Sequence, residues 1–315
     1  MMKKWKEQRV NIILGSFLGI LILLMLLATI CDHSKVSYDH LQKVEPDSVE
    51  KLADGGSVVE LTIDKSVKKC TTVAFCTPHQ YVDVYVDGRD VYSLKETAGR
   101  WGHTTGHVWN FVLLPVNTTH LTVKLSPCYP ETANALLTYY VGNGREICMG
   151  LMRQSLPTFI ISFIILIVGI YMLGYWLLVC KSEDVDATLL YLGLFSVILG
   201  LWTANETDFA KLLLVNQHAT TFAAYILLMA MPIPFVLFVR SFLDFDDKNI
   251  WRVFCGFSMV MCVISCVLHF TGIWELRQSL ILTHIVIVGL LIYLMRAIVF
   301  KFVKRQVGRR LRTCI

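Results

Sequence analysis

His103 and His107 stand four residues apart, in and beside the glycine-rich loop Gly99–Gly106. On a helix this spacing would put both imidazoles on one face, where a metal could take them as ligands. A loop does not guarantee that geometry, and no carboxylate or third ligand stands near them. We read them as loop histidines and expect no metal and no cofactor. Arg100, Trp101 and Trp109 combine a guanidinium with two indoles. Such groups stack on and hydrogen-bond a small polar molecule or a sugar. These three are the candidate ligand-binding residues; core packing is the competing use of the tryptophans.

The chain has ten cysteines. Cys180, Cys255, Cys262 and Cys266 lie in or beside apolar stretches, where small polarizable side chains are ordinary. Cys70, Cys76, Cys128 and Cys148 lie in or at the edge of a polar region; four cysteines allow three pairings, and unpaired thiols fit equally well. Ionisable groups inside apolar spans are scarce. His269 is near one end of a span, and His284, about one turn into the next, is the candidate membrane-embedded polar residue. No span holds a central Asp, Glu, Lys or Arg, groups that ion-coupled transporters commonly use. Asn205-Glu206-Thr207-Asp208 follows another span and can contact the polar region or a ligand. No nucleophile–base arrangement is evident, so no enzyme activity is expected.

The elements that must position these residues follow from composition. The hydrophobic fraction is 55% and the charged fraction 17%, against about 45–50% and about 25% in an average soluble domain. A membrane protein is indicated. The net charge is +5, but the basic residues gather at Lys3, Lys4, Lys6 and Arg9, and at Lys301, Lys304, Arg305, Arg309, Arg310 and Arg312. Both clusters flank apolar spans and read as orientation signals, not as a nucleic-acid footprint. The expected partners are the lipid bilayer, a small-molecule or carbohydrate ligand, and a second copy in a homodimer, with no nucleic acid.

Val10–Ile30 carries no charge and as a helix is about 31 Å long, enough to cross the hydrocarbon core. It exceeds the apolar core of about 7–15 residues found in a signal peptide, and no small-residue cleavage site follows; an uncleaved signal anchor is expected. Further spans are Leu156–Cys180, about Ala187–Ala204, about Thr220–Phe242, Val253 to about Trp274, and Leu280–Phe300. Pro157 suits a first helical turn, whereas Pro232 and Pro234 should kink or interrupt their span. A cytoplasmic amino terminus puts residues 32–154 and the loops Asn205–His218 and Glu275–Arg277 outside. Lys181–Asp186, Arg240–Arg252 and the tail from Lys301 are then inside, and each alternation agrees with the positive-inside bias. The expected location is the cell membrane, with both termini cytoplasmic. The domains are a basic tail and anchor at 1–31, an extracytoplasmic domain at 32–154, a five-helix bundle at 155–300 and a basic tail at 301–315.

Residues 32–154 are patterned as strands. Tyr81–Val86 alternates strictly, Asp87-Gly88 follows, and Arg89–Ser93 resumes the pattern; a DG dipeptide between two such runs is a strong hairpin signal. Ser57–Ile63, Thr71–Cys76, Trp109–Leu114, His120–Leu125 and Thr138–Val141 add further strands, with a turn or short helix at Glu131–Ala135 and a tether at Gly142–Arg153. The predicted fold class is a membrane α-helical bundle plus an external all-β, jelly-roll-like sandwich. Such a layout suits a membrane sensor that binds a ligand or partner through the β domain and relays its state through the bundle.

Val82–Tyr92, the glycine-rich loop and Trp109–Pro115 together resemble bacterial seven-transmembrane receptors with diverse intracellular signalling modules. Tyr191-Leu192-Gly193-Leu194-Phe195 and Gly200-Leu201-Trp202 also resemble the early bundle of versions that carry a diguanylate cyclase. The resemblance implies an external jelly roll, a seven-helix bundle and a carboxy-terminal output domain. The departures are five spans after the β domain and no GGDEF signature. They lead us to expect that two more spans and an output domain are encoded downstream, or were lost by a frameshift near Arg309. The alternatives are the sensor half of a diguanylate cyclase and a transporter component.

Overall fold

The computed structural model describes residues 42–63, 72–95, 102–133, 135–180, 187–214, 217–243 and 248–303. The expected anchor at 10–30, the basic tail after 303, Cys70, Arg100 and Trp101 lie outside them.

Among the described residues nine strands build the amino-terminal domain: β1 (Gln42–Val44), β2 (Ser48–Lys51), β3 (Ser57–Thr62), β4 (Thr72–Pro78), β5 (Gln80–Val86), β6 (Arg89–Leu94), β7 (His107–Leu113), β8 (His120–Pro127) and β9 (Tyr139–Gly142). They form two antiparallel sheets, ordered β1-β9-β4-β7 and β2-β3-β8-β5-β6. With the edge strand β2 set aside, one sheet takes the first, last, third and sixth strands and the other the second, seventh, fourth and fifth. This is the double Greek key of a jelly roll.

Alternation explains the core. In β5, Val82, Val84 and Val86 point inward and are buried, while Tyr81, Asp83 and Tyr85 are half-buried on the other face. Val73, Phe75, Leu121, Val123, Leu125 and Tyr139 close the core from both sheets. The β5–β6 hairpin turns at Asp87 and Gly88, with φ of 49° and 76°, the paired positive angles of a type I′ turn. A 3-10 turn at Pro130–Thr132 overlaps the start of Glu131–Ala135, expected to be a turn or short helix.

The helices are α1 (Gly144–Val179), α2 (Thr188–Glu206), α3 (Asp208–Leu213), α4 (Gln217–Ala230), α5 (Pro232–Leu243), α6 (Lys248–Phe270) and α7 (Leu276–Val303). Among the described residues five stretches are long and apolar enough to cross a membrane, α4 and α5 forming one of them. The α4–α5 break falls where the prolines were expected to interrupt it. Pro232 cannot donate a backbone hydrogen bond, and beyond it Phe235 N–H reaches Met231 O at a long 3.5 Å.

The tether expected at Gly142–Arg153 is different. Asn143 caps α1, its side chain accepting Arg145 N–H at 3.0 Å, with Glu146 in the first turn, where the helix dipole favours an acid. The helix then runs 36 residues, about 54 Å, so Pro157 lies inside it and not in the first turn where it was expected. A hydrocarbon core is only about 30 Å thick, so α1 has several turns to spare beside the sandwich. Farther along, α1 and α2 cross closely. A Cβ on Gly169 would lie 2.8 Å from Val197 N, and one on Gly200 2.7 Å from Leu166 N. Small residues at such crossings let helix backbones meet.

Candidate functional site

The two faces of the sandwich differ. Along β4, Thr72, Val73, Ala74 and Phe75 are all buried, which alternation alone cannot explain. The outer face of the β1-β9-β4-β7 sheet is covered: Ala74 and Tyr140 pack against Ile147 and Leu151 of α1, with Trp109, Phe111 and Leu212 around them. The sheet therefore sits on the start of α1 and on α3, and a junction between sandwich and bundle is the candidate site.

Polar ties cross it at several points. Trp109, on β7, donates its indole N–H to Asp208 Oδ1 at 2.9 Å. Asp208 opens α3, where Thr207 caps by accepting Ala210 N–H at 3.3 Å. Second, Glu275, in the turn before α7, accepts His103 N–H at 2.8 Å through one carboxylate oxygen. Its other oxygen accepts the Tyr129 hydroxyl. Arg277 stands 4.7 Å from the centre of the Tyr129 ring, within cation–π range.

The third tie is His79. It is the single residue between β4 in one sheet and β5 in the other, with φ of 51°. Histidine tolerates this left-handed region better than most residues. The corner is held by its backbone: His79 N–H donates to Gly106 O at 2.7 Å, and its carbonyl accepts Cys128 N–H at 2.9 Å. The ring is buried, at 4% exposure. Thr104 Oγ1 accepts Gly106 N–H and pairs with His79 Nδ1 at 2.5 Å, while His79 Nε2 lies 3.4 Å from the Tyr225 hydroxyl of α4. Burial, helped by Arg277, His107 and Lys211, pushes the His79 pKa down to about 3. His107, edge-on to His79 at 5.1 Å, is also lowered, by burial first and then by Lys211. Both imidazoles are neutral near pH 7.

Between these ties lies a cavity of about 90 Å³, bounded by His79 and His107 of the sandwich and by Asn205, Glu206, Lys211 and Tyr225 of the bundle. Lys211 Nζ is 3.4 Å from Glu206 Oε2, and its side chain is only 13% exposed.

Of the sequence-derived candidates, Trp109 lies at this junction, bonded to Asp208. Arg100 and Trp101 fall outside the described residues. His284 lies on an exposed face of α7 with Ile281, Ile285 and Val288. Histidines that meet between sandwich and bundle include His79, His107, His218, with Nδ1 3.0 Å from Thr104 O, and His269, which lines a space with Thr104 and Tyr129. Cys76, Cys128 and Cys148 are free thiols, and burial, aided by Asp208, pushes Cys76 up to about 11. Among the described residues no group of three or more His, Cys, Asp or Glu is placed to hold a metal.

Sequence reasoning missed His79, Tyr129, Tyr225 and Glu275. One cue was present: Val73-Ala74-Phe75-Cys76 is a continuous apolar run, unlike the alternating β5, and such a run marks a strand covered on both faces.

A family model described as 7TM diverse intracellular signalling matches residues 156–313, from within α1 through every later helix. No curated protein and no solved structure matches the chain. With a jelly-roll sandwich seated on a bundle of membrane-spanning length, and half of the sequence matched, the chain belongs to the 7TM diverse intracellular signalling family, and the matched region is a membrane sensory domain, not a catalytic one.

Proposed function

We propose that this chain is a receptor whose sandwich lies outside the cytoplasm, takes up a ligand or partner, and passes its state into the bundle through the junction. The observation that carries this reading is the set of ties on three separate bundle elements: Asp208 on α3, Tyr225 on α4 and Glu275 before α7. A sandwich that only needed anchoring could hang from α1 alone. With four elements held, a shift of the sheet moves the helix ends relative to one another, and rigid helices carry that shift across the bilayer.

Cys180, exposed at the far end of α1, provides the readout. With the other cysteines replaced, Asp208→Asn and Glu275→Gln should change the rate at which a maleimide alkylates Cys180 in the membrane-embedded chain. Identical rates in the parent and both variants would mean that the junction does not communicate with the far end, and the relay would have to be abandoned.

A further inference from the structure

The cavity at the junction has a composition that selects its occupant. Among the described residues its wall holds one ammonium, Lys211, and one carboxylate, Glu206, with their charged atoms 3.4 Å apart, and the Arg277 guanidinium is hydrogen-bonded to the wall residue Tyr225. Around them stand neutral polar groups: the Asn205 amide, the Tyr225 phenol and the rings of His79 and His107. A simple anion would leave Glu206 opposed by a second negative charge, and a simple cation would do the same to Lys211. The Lys211 side chain is 13% exposed and that of Glu206 42%, so an uncompensated ammonium is the costly case, while the Glu206 carboxylate, nearer solvent, is open to a ligand's ammonium. A molecule bearing both charges avoids this, its carboxylate meeting Lys211 and its ammonium meeting Glu206. In an α-amino acid the two groups are borne on one carbon, a separation comparable to that of the Lys211–Glu206 pair. The volume, about 90 Å³, is several times the ~10–15 Å³ that holds one water, and far below the ~300 Å³ at which drug-sized pockets begin. It admits a handful of heavy atoms.

We propose that this cavity is a binding site for a small zwitterionic amino acid of the size of glycine, alanine or serine, which enters by exchanging partners with the Lys211–Glu206 pair. The site is roofed by the sandwich and floored by α2, α3 and α4, so an occupant bridges the two halves of the molecule. Its role as a stimulus rests on the relay proposed above; its occupancy does not.

The test is isothermal titration of the full chain in lipid nanodiscs with glycine, L-alanine and L-serine, beside acetate, methylammonium and glycerol. Saturable binding of the amino acids with a Kd of ~1 mM or tighter is expected, with the three controls at least ~10-fold weaker. Lys211→Gln and Glu206→Gln should each weaken binding at least ~10-fold. Ala224→Leu, at a buried position on the cavity wall, should abolish it by filling the space while leaving both charges in place; this variant decides the matter if a charge variant fails to fold. Three results would each overturn the proposal: no saturable amino-acid binding up to ~10 mM, equal binding of any control, or undiminished binding by Ala224→Leu. Binding without a change in Cys180 alkylation would instead leave the site standing and remove the relay.

Discussion

His79 concentrates several demands in one side chain. Its backbone turns the corner between the sheets, and its neutral ring joins Thr104 to Tyr225. An imidazole whose folded pKa is about 3, against about 6.5 when unfolded, binds its proton more weakly in the folded state. The sign follows: stability is unaffected by this group above pH ~6.5 and is lost as pH falls below it, because only the unfolded chain takes up the proton. The loss approaches ~1.4 kcal/mol for each pH unit between the two values. We therefore expect the melting temperature of the purified chain to fall between about pH 7.5 and 5.5, and to fall less in His79→Gln, which cannot titrate. Parallel pH curves for the two proteins would show that acid acts elsewhere. Glu275 gives a second expectation. Tyr129→Phe removes one of its two donors while keeping the ring beneath Arg277, so it should cost about 1.5–3 kcal/mol, the range for a hydrogen bond to a charged group. Hydrogen exchange at His103, whose amide donates to the same carboxylate, should accelerate. Unchanged protection there would mean that Glu275 does not tie the loop down.

At the scale of elements, much of this fold is written locally. The Asp87-Gly88 turn is an example: both residues have positive φ, and a β-branched side chain resists that region. Gly88→Val should destabilise the sandwich by about 1–3 kcal/mol and lower its unfolding transition. An unchanged transition would mean that the turn tolerates another geometry. The strands β3, β5, β7 and β8 announce themselves in the same way, through period-two alternation and turn residues, β4 does so through its continuous apolar run, and the paired prolines mark the break between α4 and α5. Other elements were not legible. β1 and β2 have three and four residues, and β2 is wholly exposed, so neither carries an alternating core signal. The first turns of α1 read as a tether in sequence because Arg145, Glu146 and Arg153 break the apolar pattern. Their helicity comes from the Asn143 cap and from Ile147 and Leu151, which are buried against Ala74 and Tyr140. The junction itself is a product of tertiary structure. Glu275 lies more than a hundred residues from His103 and Tyr129 in sequence, and no local pattern reports such a meeting.

The whole molecule obeys one geometric rule that charge alone had suggested. Sandwich contacts fall on the start of α1, on α3, on α4 and on the turn before α7. Because successive spans run antiparallel, these are all ends on one side of the bundle. The opposite side carries the ends near Cys180, Arg240 and Lys248. Lysine and arginine divide unevenly between the sides: the loop 205–218 holds Lys211 alone, whereas 240–252 holds Arg240, Lys248 and Arg252. The bias of such loops sets orientation in bilayers, so the sandwich side is expected outside the cytoplasm. In a cysteine-depleted chain, Asp87→Cys at the hairpin tip should be labelled in intact cells by a membrane-impermeant maleimide, and Lys248→Cys only after the cells are opened. The reverse pattern would invert the molecule, place the cavity on the cytoplasmic side, and require its occupant to come from inside the cell. Labelling of both sites in intact cells would mean that the helices between them do not all span. That result would break the antiparallel arrangement on which a one-sided junction depends, because α3, α4 and the turn before α7 could then no longer meet the same sheet.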